Sequence, residues 1–168
     1  MNQPIFRPMQ VSDLDAALDI QADAYELFLH TDRAAYEGLL QFYPQGCWVA
    51  VVDQKIAGYM MSHPSCYTAP PALGKTPDEQ SIQPDCYFIN DVAVGNSFRG
   101  IGVASGFAKQ AIQLAIAGQY SRVTLIAVQD SQIFWGRFGF EVADIPSELQ
   151  TKIRQVYGQD ACYMVRET

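Results

Sequence analysis

One passage constrains this chain more than any other. Cys86-Tyr87-Phe88-Ile89-Asn90-Asp91-Val92-Ala93-Val94 reads as a strand, and the turn Gly95-Asn96-Ser97-Phe98 carries it into Arg99-Gly100-Ile101-Gly102-Val103-Ala104. From there Ile101, Ala104, Ala108, Ala111, Ile112 and Ala115 recur at spacings of three and four, the period of one helix face, up to Gly118. Arg122 to Gln129 follows as an almost continuous apolar run, the pattern of a strand covered on both faces. A strand that follows a crossover helix is expected to lie parallel to the one before it, so the passage reads as a β-α-β unit.

The flanking sequence supplies more elements of both kinds. A strand-like start at Ile5 and Phe6 leads to Ser12-Asp13, residues of helix N-cap type, and Leu14, Ala17, Leu18, Tyr25 and Phe28 then keep helical spacing. A second amphipathic helix is expected from Thr31 to Phe42, ahead of Pro44. Cys47 to Val52 and Ile56 to Ser62 read as a hairpin about Asp53-Gln54-Lys55. A short helix from Ser131 to Phe138, a strand from Phe140 to Ala143, a Pro146-led helix to Tyr157 and a strand from Ala161 to Val165 complete the order. Pro64 to Pro84 holds five of the nine prolines, so regular structure should be scarce there. A loop of that length is either a lid on the substrate side or a plain insertion.

A chain of 168 residues is enough for one sizeable core and short for two, so a single domain over 1–168 is expected. With 49% apolar and 17% charged residues it can bury enough surface to fold. Eleven basic against eighteen acidic side chains leave a net charge of −7, which withholds the basic footprint that nucleic acid or an anionic membrane requires and mildly favours a cationic partner. No signal-type leader and no stretch of membrane-span length is seen, and a cytoplasmic location is expected. Cys47, Cys66, Cys86 and Cys162 form no C-x-x-C pair and sit among apolar neighbours, so they read as buried free thiols, with no metal site.

Where a strand feeds a glycine-containing turn into a helix, unpaired backbone N–H groups converge and the helix dipole adds positive potential, so a phosphate is the natural ligand. Gly100 and Gly102 suit that role because a side chain would hold phosphate oxygens away from the amides. The spacing is not that of a P-loop, since no G-K-S/T follows, and it lacks the three glycines of the dinucleotide fingerprint.

These residues resemble a known family. Arg99-Gly100-Ile101-Gly102-Val103-Ala104 after Val92-Ala93-Val94 looks like motif A, R/Q-x-x-G-x-G/A, of the GNAT superfamily of acyl-CoA-dependent N-acyltransferases. Phe134-Trp135-Gly136-Arg137-Phe138-Gly139-Phe140-Glu141 resembles the second GNAT signature, F-Y-x-x-x-G-F-x, one helix and one strand downstream. The resemblance implies a mixed α/β fold: a central, mostly antiparallel sheet of six to seven strands, flanked by about four helices, whose fourth and fifth strands splay apart. The pantetheine arm of acetyl-CoA would lie in that opening. Val92 and Val94 would hydrogen-bond it through their backbones, an amide of the Val92-Ala93-Val94 stretch would polarise the thioester carbonyl, and the amides of Arg99, Gly100, Ile101, Gly102, Val103 and Ala104 would hold the pyrophosphate. The implied acceptor is an amine, a small molecule or a protein, and a homodimer is compatible with the family although no residue marks an interface.

The chemistry leaves more open. An amine of pKa about 10 is mostly protonated at neutral pH, and only its neutral form attacks a thioester, so a base is needed. By the resemblance Asp91 is the candidate base or cation anchor, while Asn90 and Phe88 stand where related enzymes place acids. Trp135 occupies the position of the usual tyrosine acid, and an indole donates a hydrogen bond without releasing a proton. Phe134 and Trp135 are then expected to wall the cofactor tunnel, with Tyr163 or Tyr157 as a substitute acid. His63 borders the proline-rich loop and could face the acceptor. Tyr25, Phe28, Tyr36, Phe42 and Tyr43 would be core residues or would favour an acceptor with an apolar or cationic body. The alternative reading is a module that binds acyl-CoA without turning it over.

Overall fold

The computed structural model describes residues 2–76 and 83–168. Among them seven strands form one sheet: β1 (Ile5–Pro8), β2 (Cys47–Val52), β3 (Lys55–Ser65), β4 (Cys86–Val94), β5 (Arg122–Ala127), β6 (Glu141–Val142) and β7 (Cys162–Glu167). Five α-helices accompany them: α1 (Leu14–Ala24), α2 (Arg33–Phe42), α3 (Val103–Ala117), α4 (Gln132–Gly136) and α5 (Ser147–Tyr157). The strand order is β1-β2-β3-β4-β5-β7-β6, with β4 and β5 parallel and every other pair antiparallel. The expected mixed, mostly antiparallel α/β sheet is what forms, with one helix more than expected.

Each face of the sheet has its own helical cover. On one side the alanines of α3 let the helix lie close, so Phe107, Ala108, Ala111 and Ala115 pack with Tyr87, Ile89, Val123 and Leu125. Gly106 sits where a Cβ would come within 2.1 Å of the Phe6 ring, which itself meets Phe107 edge to face. On the other side Leu14, Ala17, Tyr36 and Leu39 of α1 and α2 cover Val49, Tyr59, Met61 and Ala93. A smaller cluster under α5 joins Ile153 to Phe88 and Tyr163.

Local chemistry fixes the helix starts. Asp32 caps α2 by accepting from the amide of Ala35 at 2.9 Å. Before α1 a 3-10 turn at Val11–Asp13 places the Asp13 carboxylate on the Gln10 amide and against the Arg7 guanidinium, at 2.7 and 2.8 Å, which holds the Asp13 pKa below its usual range.

Three expectations need correction. Tyr25 and Phe28 are not on α1: the helix ends at Ala24, Tyr25 turns extended, and Phe28 lies exposed in a short 3-10 turn. Strand β3 continues through Pro64 to Ser65, so the proline-rich loop begins later than its first proline; its residues 77–82 lie outside the described residues. The four cysteines are free thiols, but Cys66 is only half-buried.

Candidate active site

Two departures from regular pairing open the middle of the sheet. Strand β4 pairs with β5 only at Tyr87–Val123, Phe88–Thr124 and Ile89–Leu125, while β5 runs on to Ala127 beside β7. From Asn90 to Val94, β4 therefore has no partner on that side, and the two strands splay. On its other side β4 carries a bulge: Met61 faces Asp91 and Ser62 faces Ile89, which leaves Asn90 as an extra residue.

A cavity of about 470 Å³ fills this opening. Asn90, Asp91, Val92, Ala93, Val94, Arg99, Ala104, Phe134 and Trp135, all singled out in the sequence, line it. Gly100, Ile101, Gly102 and Val103 form the turn between Arg99 and Ala104. Gly100 and Gly102 have φ of +81° and +92°, in the left-handed region that favours glycine, and a Cβ at either would project into open space with no atom within 4 Å. Gly102 is the residue that caps α3, whose first amides have no partner within the helix. The turn is thus a backbone cradle at a helix N-terminus, with Arg99 the one cationic side chain on the cavity wall among the described residues. A phosphate-bearing ligand with an extended arm fits both halves, since the splay leaves strand edges for the arm and the turn leaves amides for the phosphate.

Asp91 is held by three tyrosines: Tyr36 of α2, Tyr59 of β3 and Tyr25 just beyond α1. The hydroxyls of Tyr36 and Tyr59 each stand 2.8 Å from its Oδ2 and 2.6 Å from each other. Tyr25 Oη lies 2.8 Å from its Oδ1 and 2.7 Å from the carbonyl oxygen of Val92. Gln21, fixed by the amide and carbonyl of Thr31, turns its Oε1 to Tyr36 at 3.0 Å. These contacts include six between oxygens but only three phenolic protons, so the hydroxyls cannot donate along all of them at once. Burial raises the Asp91 pKa above its ordinary value and the three hydroxyls pull it back only in part. The same burial, together with the carboxylate, raises the phenols of Tyr25, Tyr36 and Tyr59.

Sequence reasoning left Gln21 and Tyr59 unnamed and left Tyr25 and Tyr36 between core and pocket. The one available signal was the carboxylate itself, because an acid buried in a strand requires donors from its neighbours. Trp135 is buried in the core against Phe134 and Phe140 and also walls the cavity. Tyr163 does not line the cavity: it is fully buried and donates to the carbonyl of Tyr67 at 2.9 Å. Tyr157, the other phenol considered, does line it, and burial pushes its hydroxyl up to about 12. Leu73 and Gly74 bring the early part of the long loop onto the wall, where Gly74 lies against Thr31. His63 is buried outside the wall. Among the described residues no cluster of His, Cys, Asp and Glu is arranged to hold a metal, and no helix is long and apolar enough to cross a membrane.

Comparison with known proteins agrees with this architecture. No curated protein matches the chain. Solved structures of similar fold include Ard1 from Thermoplasma volcanium (TM-score 0.73, 17% identity, 99% of both chains). Another is a GNAT-like decarboxylase, GphF, in complex with isobutyryl-CoA (0.75, 16%, 97% of this chain and 98% of that one). A third is Rv2747 from Mycobacterium tuberculosis in complex with CoA and NLQ (0.71, 18%, 98% and 99%). The family model described as Acetyltransferase (GNAT) family matches residues 14–140, from the first helix to Phe140 in the second signature, and the chain belongs to that family.

Proposed function

We propose that this protein is an N-acetyltransferase that moves an acetyl group from acetyl-CoA to a small amine by direct attack. One observation carries the reading: the splay of β4 from β5 and the carboxyl of Asp91 open into one cavity, and the Arg99 and Ala104 that bracket the turn of Gly100 and Gly102 stand on its wall. Acetyl-CoA supplies, when bound, an acyl carbon activated as a thioester. The edge of β4 at Val92 and Val94, which β5 leaves unpaired, would hold its arm, and the amides from Arg99 to Ala104 would hold its pyrophosphate.

Asp91 serves as base. A carboxyl raised above its ordinary pKa is a stronger proton acceptor once ionised and works nearer neutral pH, where a base is of most use. It takes the proton that the acceptor nitrogen loses as that nitrogen bonds to the acyl carbon. Tyr157, which lines the cavity where Tyr163 does not, gives a proton to the departing sulfur in this reading. A thiol of pKa about 8.5 leaves well enough that this help is modest.

The acceptor end of the cavity is walled by Tyr25, Leu29, Tyr36, Leu39, Leu73 and Phe88, with Asp91 as its charged group. Such a wall suits a small amine with an apolar or aromatic body and offers no cation to an acceptor's carboxylate. The reaction takes place in the cytoplasm. Release of coenzyme A that depends on an added amine tests the proposal; tight binding of acetyl-CoA with no release across a broad amine panel would instead support a module that binds without turnover.

A further inference from the structure

His63 stands opposite Phe88 in the β3–β4 ladder, diagonal to the bulged Asn90, and is almost completely enclosed between the rings of Phe42 and Phe88. Its Nδ1 lies 2.9 Å from the carbonyl oxygen of Pro64 and its Nε2 lies 3.4 Å from the amide nitrogen of Asn90. A carbonyl can only accept, so Nδ1 carries the ring proton. In a neutral ring Nε2 is then an acceptor, and the Asn90 atom that meets it must be the NH2 group. Burial keeps the ring neutral, pushing its pKa down to about 4. With Nδ2 committed to His63, Asn90 Oδ1 is left over; it has no hydrogen-bond partner among the described residues, and Asn90 lines the cavity beside Asp91.

We infer that His63 is a positioning residue that fixes the Asn90 amide, so that Asn90 Oδ1 and the carboxyl of Asp91 form a paired acceptor for two N–H bonds of one nitrogen. The inference rests on the reading of the cavity as an amine site and deepens it by naming the two oxygens that hold the acceptor nitrogen. As the proton of one N–H passes to Asp91, the second N–H stays on Asn90 and holds the nitrogen in line with the acyl carbon. A secondary amine retains only one N–H when neutral and cannot satisfy both oxygens at once, which leaves Asn90 Oδ1 unpaired in an apolar enclosure.

Two measurements on the full chain test this. Long-range ¹H–¹⁵N correlation of the histidine rings should show His63 protonated at Nδ1, bare at Nε2, and uncharged at pH 6; an Nε2–H tautomer or a charged ring at pH 6 overturns the positioning role. This spectrum needs no substrate, so it stands apart from the acyltransferase reading, which fails if no amine releases coenzyme A. In kinetics, a primary amine should exceed its N-methyl counterpart in kcat/KM by about tenfold or more. Asn90→Ala and His63→Leu should each lower kcat/KM for the primary amine by about tenfold, mostly through KM, and flatten the preference. His63→Gln, whose side-chain oxygen can accept from Asn90, should recover much of it. A preference left intact by Asn90→Ala overturns the paired acceptor.

Discussion

Asn90 and Asp91 are neighbours in the chain and yet both turn to the sheet face covered by α1 and α2. Asn90 reaches His63 and Asp91 reaches Tyr36 and Tyr59. In a regular strand successive side chains point to opposite faces, so one of the two would be buried under α3. The extra residue at Asn90 shifts the alternation by one. Tyr87 and Ile89 consequently pack on the α3 side, while Ala93 packs with α1 and α2. A single bulge thus delivers two polar groups to one cavity at the point where β4 parts from β5.

Removing the charge at Asp91 should separate activity from stability. Asp91→Asn is expected to lower kcat by about 10²-fold or more, the scale of a lost general base. A carboxyl whose folded pKa is raised binds its proton more tightly folded than unfolded, so its stabilising effect is full below the unfolded value of about 3.9 and is lost as pH rises through the folded one. At pH 7 the variant should therefore melt no lower than the native protein, by differential scanning calorimetry. A large loss of stability at pH 7 would show that the carboxyl holds the fold rather than the chemistry.

The tyrosines around Asp91 should tune its ionisation. Their hydroxyls lower its pKa from the level set by burial, so Tyr59→Phe removes a donor and raises it further. The acid limb of the kcat/KM profile should move to higher pH in Tyr59→Phe and disappear in Asp91→Asn. An unmoved limb would detach the limb from this cluster.

If Tyr157 acts only at the departing sulfur, as proposed, Tyr157→Phe should reduce kcat several-fold and leave the affinity for acetyl-CoA unchanged. Tyr163→Phe, by contrast, removes a buried hydrogen bond to Tyr67 and should cost about 1 kcal/mol of stability without altering kcat. Parallel turnover and thermal-melt measurements on the two variants distinguish these outcomes.

The Arg7–Asp13 pair should contribute in the opposite pH sense to Asp91. Its carboxyl is depressed in the folded state, first by the guanidinium hydrogen bond, so the stabilisation is present above about 3.9 and fades as pH falls through the folded value. Asp13→Asn should cost about 1 kcal/mol at pH 7, a figure kept low because Arg7 is 37% exposed and water screens it. That difference should vanish in acid, by chemical denaturation at pH 7 and pH 3.

The strand–turn–helix core was legible because its signals are local. Gly100 and Gly102 mark a backbone that other residues rarely adopt, and the alanine spacing of α3 marks the face it buries. The Asp91 cluster was not legible, because Gln21 and Tyr25 at the end of α1, Tyr36 of α2 and Tyr59 of β3 are brought together only by the fold and look like ordinary core residues in the chain. The exit of Tyr25 from the helix was hidden by Phe28, which continues the apolar spacing although its ring is half exposed. Nor did the sequence choose between Tyr157 and Tyr163, because it gives no sign of which side chain opens to a cavity; Tyr157 lines it and Tyr163 is enclosed.

The central claim is that the turn from Arg99 to Ala104 and the splayed edge of β4 together form a cofactor site. Its most direct test is calorimetric titration of the protein with acetyl-CoA beside the variant Gly102→Leu, whose side chain would occupy the cradle. Micromolar binding by the native protein, weakened by tenfold or more (about 1.4 kcal/mol) in a variant that remains folded, is the expected result. No binding by the native protein, or equal binding by both, would contradict it.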